Sequence, residues 1–300
     1  MSGTGGRGAR TNPWENQRPA PGELVMDHVA HFVPDLNAAG ELLEALGFTP
    51  SPVSNHQVEG KPAGTANRCL MFEAGYVEIL APTLDTPNAR RVRAHMSRGG
   101  AEAAGIHLVC FGTPDAQAEH ARLATYGFEP EPLVRLSRVV DDGRTVRFNV
   151  IYVPSGKMPE ARVQYCEQLT PEVIWIPEHV RHENGVKALG DVYVVATDPE
   201  RDAARWGLFS GCLPRPDGAL VRLDTSRGSV FLGTRAELSR FLPVVPEPPA
   251  VAAFQLKVEH PGRFAARCLD AGAQVHDSPR GGCVALPPEL GGCWLFSERA

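Results

Sequence analysis

The sequence lacks paired cysteines, long apolar runs and an excess of basic residues, and each absence excludes a class of protein. Its 7 cysteines are an odd number and include no CxxC pair, which excludes a disulfide framework or a zinc ribbon. The net charge of -5 argues against a nucleic-acid partner. No stretch approaches the ~20 apolar residues of a membrane span, and no apolar signal-peptide core is present. We therefore expect a cytoplasmic protein with free thiols and no membrane partner.

The first 22 residues are rich in Gly, Arg, Asn and Pro, and this composition predicts a disordered N-terminal tail over 1–22. Gly3, Gly5 and Gly8 formally satisfy GxGxxG. No strand precedes them, so they do not predict a dinucleotide site.

Four copies of one strand-and-helix pattern follow the tail. In the first copy an apolar strand at 26–33 is followed by a helix over 36–46, which Gly47 ends. The same order from opening strand to closing glycine recurs at 106–127, 191–211 and 251–272, and short strands follow each helix. Each copy is therefore a β-α-β-β-β module. One module cannot bury both sides of its sheet, so the modules are expected to pair.

The pairing divides the chain into two domains. Modules one and two form a first domain over 23–171, and modules three and four a second domain over 190–300. Residues 172–189 do not fit the repeat and are interpreted as a crossover linker. Within the first domain, the segment from Tyr76 to Pro82 aligns without a gap with Tyr165 to Pro171. Tyr, Glu, Leu and Pro match in register, which indicates a true duplication.

One pair of residue types recurs in the first two modules and suggests a metal site. The opening strands carry His28 and His107, and the closing strands carry Glu78 and Glu167. Imidazole and carboxylate together suit zinc, nickel, cobalt, manganese or iron. A single strand histidine is more often structural, and a glutamate between apolar neighbours also fits a solvent face. The matched set of four favours the metal site.

The remaining modules do not repeat this pair. At the position of His28, module three has Asp191 and module four has Phe254 or a neighbour, and their closing strands offer no interior carboxylate. Alternation along the first strand places His31 on the face opposite His28. The second domain is thus expected to keep the fold and lose the site.

Several segments of module one resemble a known family. The segments Asp27-His28-Val29, Val33-Pro34-Asp35-Leu36, Leu46-Gly47-Phe48 and Gly75-Tyr76-Val77-Glu78-Ile79-Leu80 resemble the opening module of glyoxalase-like proteins of the vicinal-oxygen-chelate superfamily. The turn Gly64-Thr65-Ala66-Asn67 is also similar, although members often have histidine where this chain has Ala66. The resemblance covers 24–82 well and 105–171 fairly.

The resemblance implies an α+β fold of four βαβββ modules, paired into two curved, open mixed β-barrels with helices outside. It also implies one divalent metal ion inside the first barrel, held by His28, Glu78, His107 and Glu167. Substrate oxygens would take the remaining positions on the metal.

The implied function is that of a metal-dependent isomerase, epimerase or lyase acting on a small molecule through an enediolate. Glu167 or Glu78 would serve as the catalytic base. Asn67, Arg68 and Arg147 are candidate substrate-binding residues, since both arginines lie on strands beside the proposed site. Two alternatives stay open: an iron(II) extradiol-type dioxygenase, which a fourth protein ligand would crowd, and a drug-sequestering protein without turnover. The protein is expected to be a monomer or homodimer.

Overall fold

The computed structural model describes residues 12–98, 102–140 and 143–299, and these form sixteen strands and six α-helices, four of which are the helices of the predicted modules. Module one consists of β1 (Val25–Phe32), α1 (Leu36–Ala45), β2 (Ser54–Val58), β3 (Lys61–Met71) and β4 (Tyr76–Pro82). Helix α2 (Pro87–Met96) precedes module two, which consists of β5 (Gly105–Gly112), α3 (Ala116–Thr125), β6 (Val134–Val139), β7 (Thr145–Ile151) and β8 (Arg162–Gln168).

The second half repeats this order twice. Module three consists of β9 (Val186–Val195), α4 (Pro199–Ser210), β10 (Arg215–Asp217), β11 (Leu220–Asp224) and β12 (Ser229–Gly233), and short helix α5 (Arg235–Leu238) follows it. Module four consists of β13 (Ala250–Val258), α6 (Pro261–Asp270), β14 (Gln274–Ser278), β15 (Gly281–Ala285) and β16 (Cys293–Glu298).

An aspartate caps the main helix at the same point of the first three modules. The carboxylate of Asp35 accepts hydrogen bonds from two backbone N–H groups of α1, and Asp115 does the same for α3. Asp198 caps α4 by accepting one such bond, from the backbone N–H of Arg201. These caps provide a common reference point from which equivalent residues of different modules can be counted.

Modules one and two form an eight-stranded barrel in the order β1-β4-β3-β2-β6-β7-β8-β5. Strands β1 and β5 run antiparallel at the centre, and each pairs in parallel with the closing strand of its own module. The barrel closes where Gln57 and Val58 of β2 pair with Ser137 and Leu136 of β6.

Modules three and four form a second eight-stranded sheet, in the order β10-β11-β12-β9-β13-β16-β15-β14, which stays open. It packs on the outside of the barrel, and one continuous apolar core joins the two. His31 lies in this interface, where its Nδ1 donates to the Leu290 carbonyl and its Nε2 accepts from Trp294 Nε1. The predicted α+β fold of paired βαβββ modules is therefore confirmed.

Three local features differ from the sequence-based prediction. Part of the predicted disordered tail, residues 12–22, is ordered: Pro13–Asn16 form a 3-10 turn and the buried Gln17 accepts from the backbone N–H of Gly75. Residues 1–11, with the three glycines of the GxGxxG match, lie outside the described residues. Strand β9 begins at Val186, within the predicted linker. Helix α2 was not predicted, and its Val92 and Met96 pack into the barrel core.

None of the helices in the described residues is both long and apolar enough to span a bilayer. All seven cysteines are free, and all except Cys212 are buried, which agrees with the predicted absence of a disulfide framework.

Candidate metal centre and substrate cavity

The first barrel encloses a cavity of about 250 Å³. Alternate residues of its strands line the cavity because successive side chains of a strand point to opposite faces. The polar part of the lining consists of His28, His56, Thr65, Asn67, Glu78, Asn88, Arg91, Glu131, Arg138, Arg162 and Gln164. The apolar part includes Leu80, Leu108, Val134, Leu136, Phe148 and Val150. The space is at the lower end of the range for small-molecule pockets.

The structure brings His28 and Glu78 together inside this cavity. His28 Nε2 lies 4.0 Å from Glu78 Oε2, and both residues are buried. The imidazole of His28 stacks on the ring of Tyr76, with the centroids 4.3 Å apart. Tyr76 and Glu78 follow one another on the inner face of β4, so one strand both supports the imidazole and supplies the carboxylate.

The hydrogen bonds around His28 determine its tautomer. Its Nδ1 lies 2.7 Å from Asp27 Oδ1, and a carboxylate can only accept, so Nδ1 carries a proton and Nε2 is the nitrogen that presents the lone pair of the neutral imidazole. A lone pair and a carboxylate oxygen therefore face each other across 4.0 Å. Such a pair of donor atoms suits a divalent cation, and a carboxylate behind the histidine is a common outer-shell partner in metal sites. The residues present therefore fit a metal ion.

Two further side chains surround Glu78. Asn67 Nδ2 donates to Glu78 Oε1 at 2.7 Å, and His56 Nε2 lies 3.8 Å from the same oxygen. Burial lowers the pKa of His56 to about 4; the charge of Glu78 raises it, and those of Arg138 and Arg162 lower it. His56 is therefore neutral at neutral pH. Of the substrate-binding residues predicted from sequence, Asn67 lies in the cavity.

Counting from the helix caps identifies the residues of module two that are equivalent to His28 and Glu78. His28 lies seven residues before Asp35, and Leu108 lies seven residues before Asp115. Leu108 is therefore equivalent to His28.

Strand pairing gives the equivalent of Glu78. His28 pairs with Tyr76, and Leu108 pairs with Arg162. Glu78 and Gln164 each lie two residues beyond those partners. Module two therefore offers Leu108 and Gln164 at these positions, and the buried Gln164 Oε1 has no hydrogen-bond partner within the described ranges.

His107 does not join the site, which corrects the sequence-based ligand set. Asp27 and His107 are both unpaired bulge residues in the β1–β5 ladder, so His107 is equivalent to Asp27 rather than to His28. It does not line the cavity, and its ring lies 5.6 Å from that of Phe32. Burial lowers its pKa to about 4.

Glu167 is also separated from the cavity. On β8 the inward-facing residues are Arg162, Gln164 and Cys166, so Glu167 points outward. Its Oε2 accepts from Asn149 Nδ2 at 2.7 Å and from the N-terminal backbone of α3 at Ala116. The gap-free alignment of Glu78 with Glu167 thus matched residues that lie on opposite faces of their strands.

Arg68 and Arg147, the predicted substrate-binding arginines, both face away from the cavity. Arg68 binds the Ser51 carbonyl and pairs with Glu44 on the outer surface, and Arg147 is exposed. Two other arginines line the cavity instead, Arg138 on β6 and Arg162 on β8. The sequence holds a signal for Arg138, because Val134 and Leu136 precede it at alternate positions of β6 and also line the cavity.

A second group of metal-binding residue types lies beside this site. The side-chain donor atoms of Asp27, His28 and Cys110 lie within 4.8 Å of one another. The Asp27–His28 contact is, however, a hydrogen bond of 2.7 Å, and burial raises the pKa of Cys110 well above its usual value, which disfavours the thiolate. His28 Nε2 with Glu78 is therefore the better donor pair.

The second sheet does not repeat the His28–Glu78 pair at the equivalent positions. Counting seven residues back from the N-cap residues Asp198 and His260 places Asp191 and Ala253 at the position of His28, and strand pairing places Phe231 and Leu295 at that of Glu78. The carboxylate of Asp191 accepts from the backbone of Ser229. No second donor accompanies it at the three equivalent positions.

The sequence was compared with models of protein families and with curated proteins. A family model described as a glyoxalase-like domain matches residues 26–208, which include the whole barrel and the start of module three. No protein with a curated description matches the sequence significantly.

Solved structures share the fold of the whole chain. A hypothetical protein from Staphylococcus aureus has a TM-score of 0.63 at 12% identity, over 92% of this chain and 99% of that chain. The Mn(II)-bound glyoxalase from Novosphingobium aromaticivorans has a TM-score of 0.54 at 10% identity, over 91% and 81%. A mutant 4-hydroxymandelate synthase from Streptomyces coelicolor has 0.53 at 14% identity, over 93% and 94%. At these identities the likeness establishes the fold.

Proposed function

Because this chain belongs to the glyoxalase-like domain family, we propose that its barrel binds one divalent metal ion and acts on a small organic substrate with neighbouring oxygens. The reaction we propose is removal and return of a proton alpha to a carbonyl, as in an isomerase, epimerase or lyase. The observation that carries the proposal is the pair of metal-donor atoms, His28 Nε2 and Glu78 Oε2, that face each other at 4.0 Å.

Three residues would hold the metal. His28 is oriented by Asp27, Glu78 is held by Asn67, and Gln164 occupies the module-two position equivalent to Glu78 with an unsatisfied carbonyl oxygen. Zinc, nickel, cobalt, manganese or iron suits such a mixed nitrogen and oxygen set. When bound, the ion would supply Lewis acidity that stabilises negative charge developing on a substrate oxygen.

His56 is the base that the geometry favours. The neutral imidazole lines the cavity, its Nδ1 contacts Thr65 Oγ1 at 3.0 Å, and its Nε2 lies 3.8 Å from Glu78 Oε1. A substrate held beside Glu78 would therefore lie close to His56 Nε2, which offers a lone pair when Nδ1 donates to Thr65 Oγ1. Because Glu167 lies outside the barrel, Glu78 would be needed as a ligand of the metal. His56 can then accept the substrate proton instead of a glutamate.

The first test is metal content measured by mass spectrometry on protein purified without a His-tag. We expect about one ion per chain in the wild type, and its loss in His28→Ala and Glu78→Gln. His107→Ala and Glu167→Gln are matched controls, since the same residue types lie outside the cavity, and both should keep the ion. A protein that takes up no metal after incubation with all five ions would refute the metal centre.

The reaction is tested by exchange of alpha protons in deuterated water. A panel of 2-oxo and 2-hydroxy compounds is incubated with wild-type protein and with His56→Gln. We expect exchange with at least one compound in the wild type and a loss of rate in the variant with the metal retained. Absence of exchange across the panel would argue against proton abstraction.

An iron(II) dioxygenase is a second candidate because the barrel supplies fewer than four ligands. Leu108 stands where a further ligand would be, so positions on the metal would stay open for substrate and oxygen. Oxygen uptake with catechols, after loading with iron(II) without air, distinguishes this function from proton transfer. A protein with neither activity that still binds small molecules would be a sequestering protein.

A further inference from the structure

We propose that the substrate is a small organic anion, a carboxylate with an apolar body, whose charged group is bound by Arg138 and Arg162 inside the barrel. This inference rests on the proposed function for the identity of the site and adds the chemical class of its ligand. It is carried by two arginines that face the cavity and have no carboxylate partner among the described residues.

Arg138 is the stronger of the two observations. It is only 8% exposed, yet its partners are neutral: NH1 donates to Asn67 Oδ1 at 3.3 Å, and the group contacts the thiol of Cys69, whose pKa burial raises to about 12. Its Nε has no hydrogen-bond partner among the residues that the structure describes. A buried guanidinium is costly unless it is paired, so its natural complement is an anion that enters the cavity.

Asn67 keeps the charges of Arg138 and Glu78 apart. Its amide nitrogen donates to Glu78 and its carbonyl oxygen accepts from Arg138. The carboxylate of Glu78 is thereby left for a cation and the guanidinium for an anion. The part of the cavity around Glu78 thus favours a cation and the part around Arg138 favours an anion, and the Asn67 side chain lies between them.

Arg162 adds a second guanidinium from the opposite module. The central carbon of its guanidinium lies 4.5 Å from the centroid of the Tyr152 ring, and its NH2 donates to Asn88 Oδ1 at 3.0 Å. These contacts orient the guanidinium, but no described residue forms an ion pair with it. The other cavity arginine, Arg91, already pairs with Glu131 at 3.0 Å. Arg138 and Arg162 are therefore the groups available to an anion.

The apolar part of the lining accounts for the rest of the ligand. Leu108, Val134, Leu136, Phe148 and Val150 come from strands of module two and form a continuous apolar surface with Leu80. A ligand that places its charge at the arginines can bury an aromatic or branched aliphatic body against them. In a cavity of about 250 Å³ such a ligand is a small molecule and not a peptide.

The test is calorimetric titration of metal-free protein with 3-phenylpropanoate and, separately, with its neutral analogue 3-phenylpropanamide. The probe has no second oxygen function for a metal, so its binding depends on the anion site alone. We expect the carboxylate to bind about ten- to a hundredfold more tightly than the amide, which corresponds to a charge-assisted hydrogen bond. Equal affinities of the two probes would overturn the proposal.

Variants identify the residue responsible. Arg138→Gln should lose about ten- to a hundredfold in affinity for the carboxylate and leave amide binding unchanged, whereas Arg138→Lys should recover part of it. Arg68→Gln, on the outer face of the adjacent region of β3, is the matched control and should bind as the wild type does. Because the charge of Arg138 is buried without an ionic partner, Arg138→Gln should keep or raise the Tm. Equal loss of carboxylate binding in both glutamine variants would refute the assignment.

The outcome is independent of the metal analysis. Because the titration uses metal-free protein, a failure to bind 3-phenylpropanoate would refute the anion site and leave the metal measurements valid. Absence of metal in the wild type would refute the proposed reaction without changing the result of the titration.

Discussion

Lowering the pH should weaken the attachment of the barrel to the second sheet through one buried histidine. His31 has no exposed surface and bridges the two sheets: its Nδ1 donates to the Leu290 carbonyl at 2.8 Å, and its Nε2 accepts from Trp294 Nε1 at 3.0 Å. Both nitrogens are thus satisfied only in the neutral form. Burial lowers the pKa of His31 from 6.5 to about 3, although the bond to Leu290 opposes the shift.

The sign and size of the effect follow from this pKa. Above pH 6.5 His31 is neutral in both the folded and unfolded chain and contributes no pH dependence. As the pH falls below that value, the unfolded chain takes up a proton that the folded chain cannot, so stability falls until the folded pKa is reached. Between pH 7 and pH 5 the loss from His31 is roughly 2 kcal/mol, at about 1.4 kcal/mol per pH unit once titration of the unfolded form is complete.

The assay is urea unfolding of metal-free wild type and His31→Gln at pH 7 and pH 5. Other buried histidines also titrate, but they contribute equally to both proteins and cancel in the difference. The variant is expected to be less stable at pH 7, yet to lose roughly 2 kcal/mol less than the wild type on acidification. His276→Gln, an exposed position on β14, serves as control. The same acid loss in wild type and His31→Gln would refute the reasoning.

Three further predictions concern the site and its support. Asp27→Asn should lower metal affinity about 10- to 100-fold, measured by competition with a chromogenic chelator, because the charge that polarises His28 is removed; unchanged affinity would refute that role. Leu108→His should raise metal affinity by about tenfold or more, since it restores an imidazole at the position equivalent to His28, and the same competition assay checks it. Gly75→Ala should destabilise the fold by about 1–3 kcal/mol in urea, because φ is 72° and a Cβ would lie 3.0 Å from Leu189 Cβ; a loss below ~0.5 kcal/mol would contradict this.

Much of this molecule could be predicted from local sequence. Apolar runs and closing glycines define four modules, with aspartate caps in the first three, since each of these signals acts within a few residues of the element that it specifies. The segments around His28 and Glu78 that resemble the glyoxalase-like family also pointed to two residues that lie together in the barrel, with His28 Nε2 4.0 Å from Glu78 Oε2. The same residue types led to the expectation that modules three and four do not carry this site.

The tertiary structure alone decided the register of the closing strands and the positions of the bulges. A slip of one residue moves a side chain to the opposite face of a strand, so Glu167 faces outward beside Cys166, which faces inward. The bulge at His107 makes that residue equivalent to Asp27, and no local pattern indicates an unpaired residue in a ladder formed between distant segments.

The arginines show the same limit. Arg68 and Arg138 have the same chemistry and similar strand contexts, but only Arg138 points into the cavity. The sequence thus determined which elements form and which residue types are available, because those depend on neighbouring residues. Which side chains share the cavity depends on strand pairing between segments far apart in the chain, and only the folded barrel fixes that pairing.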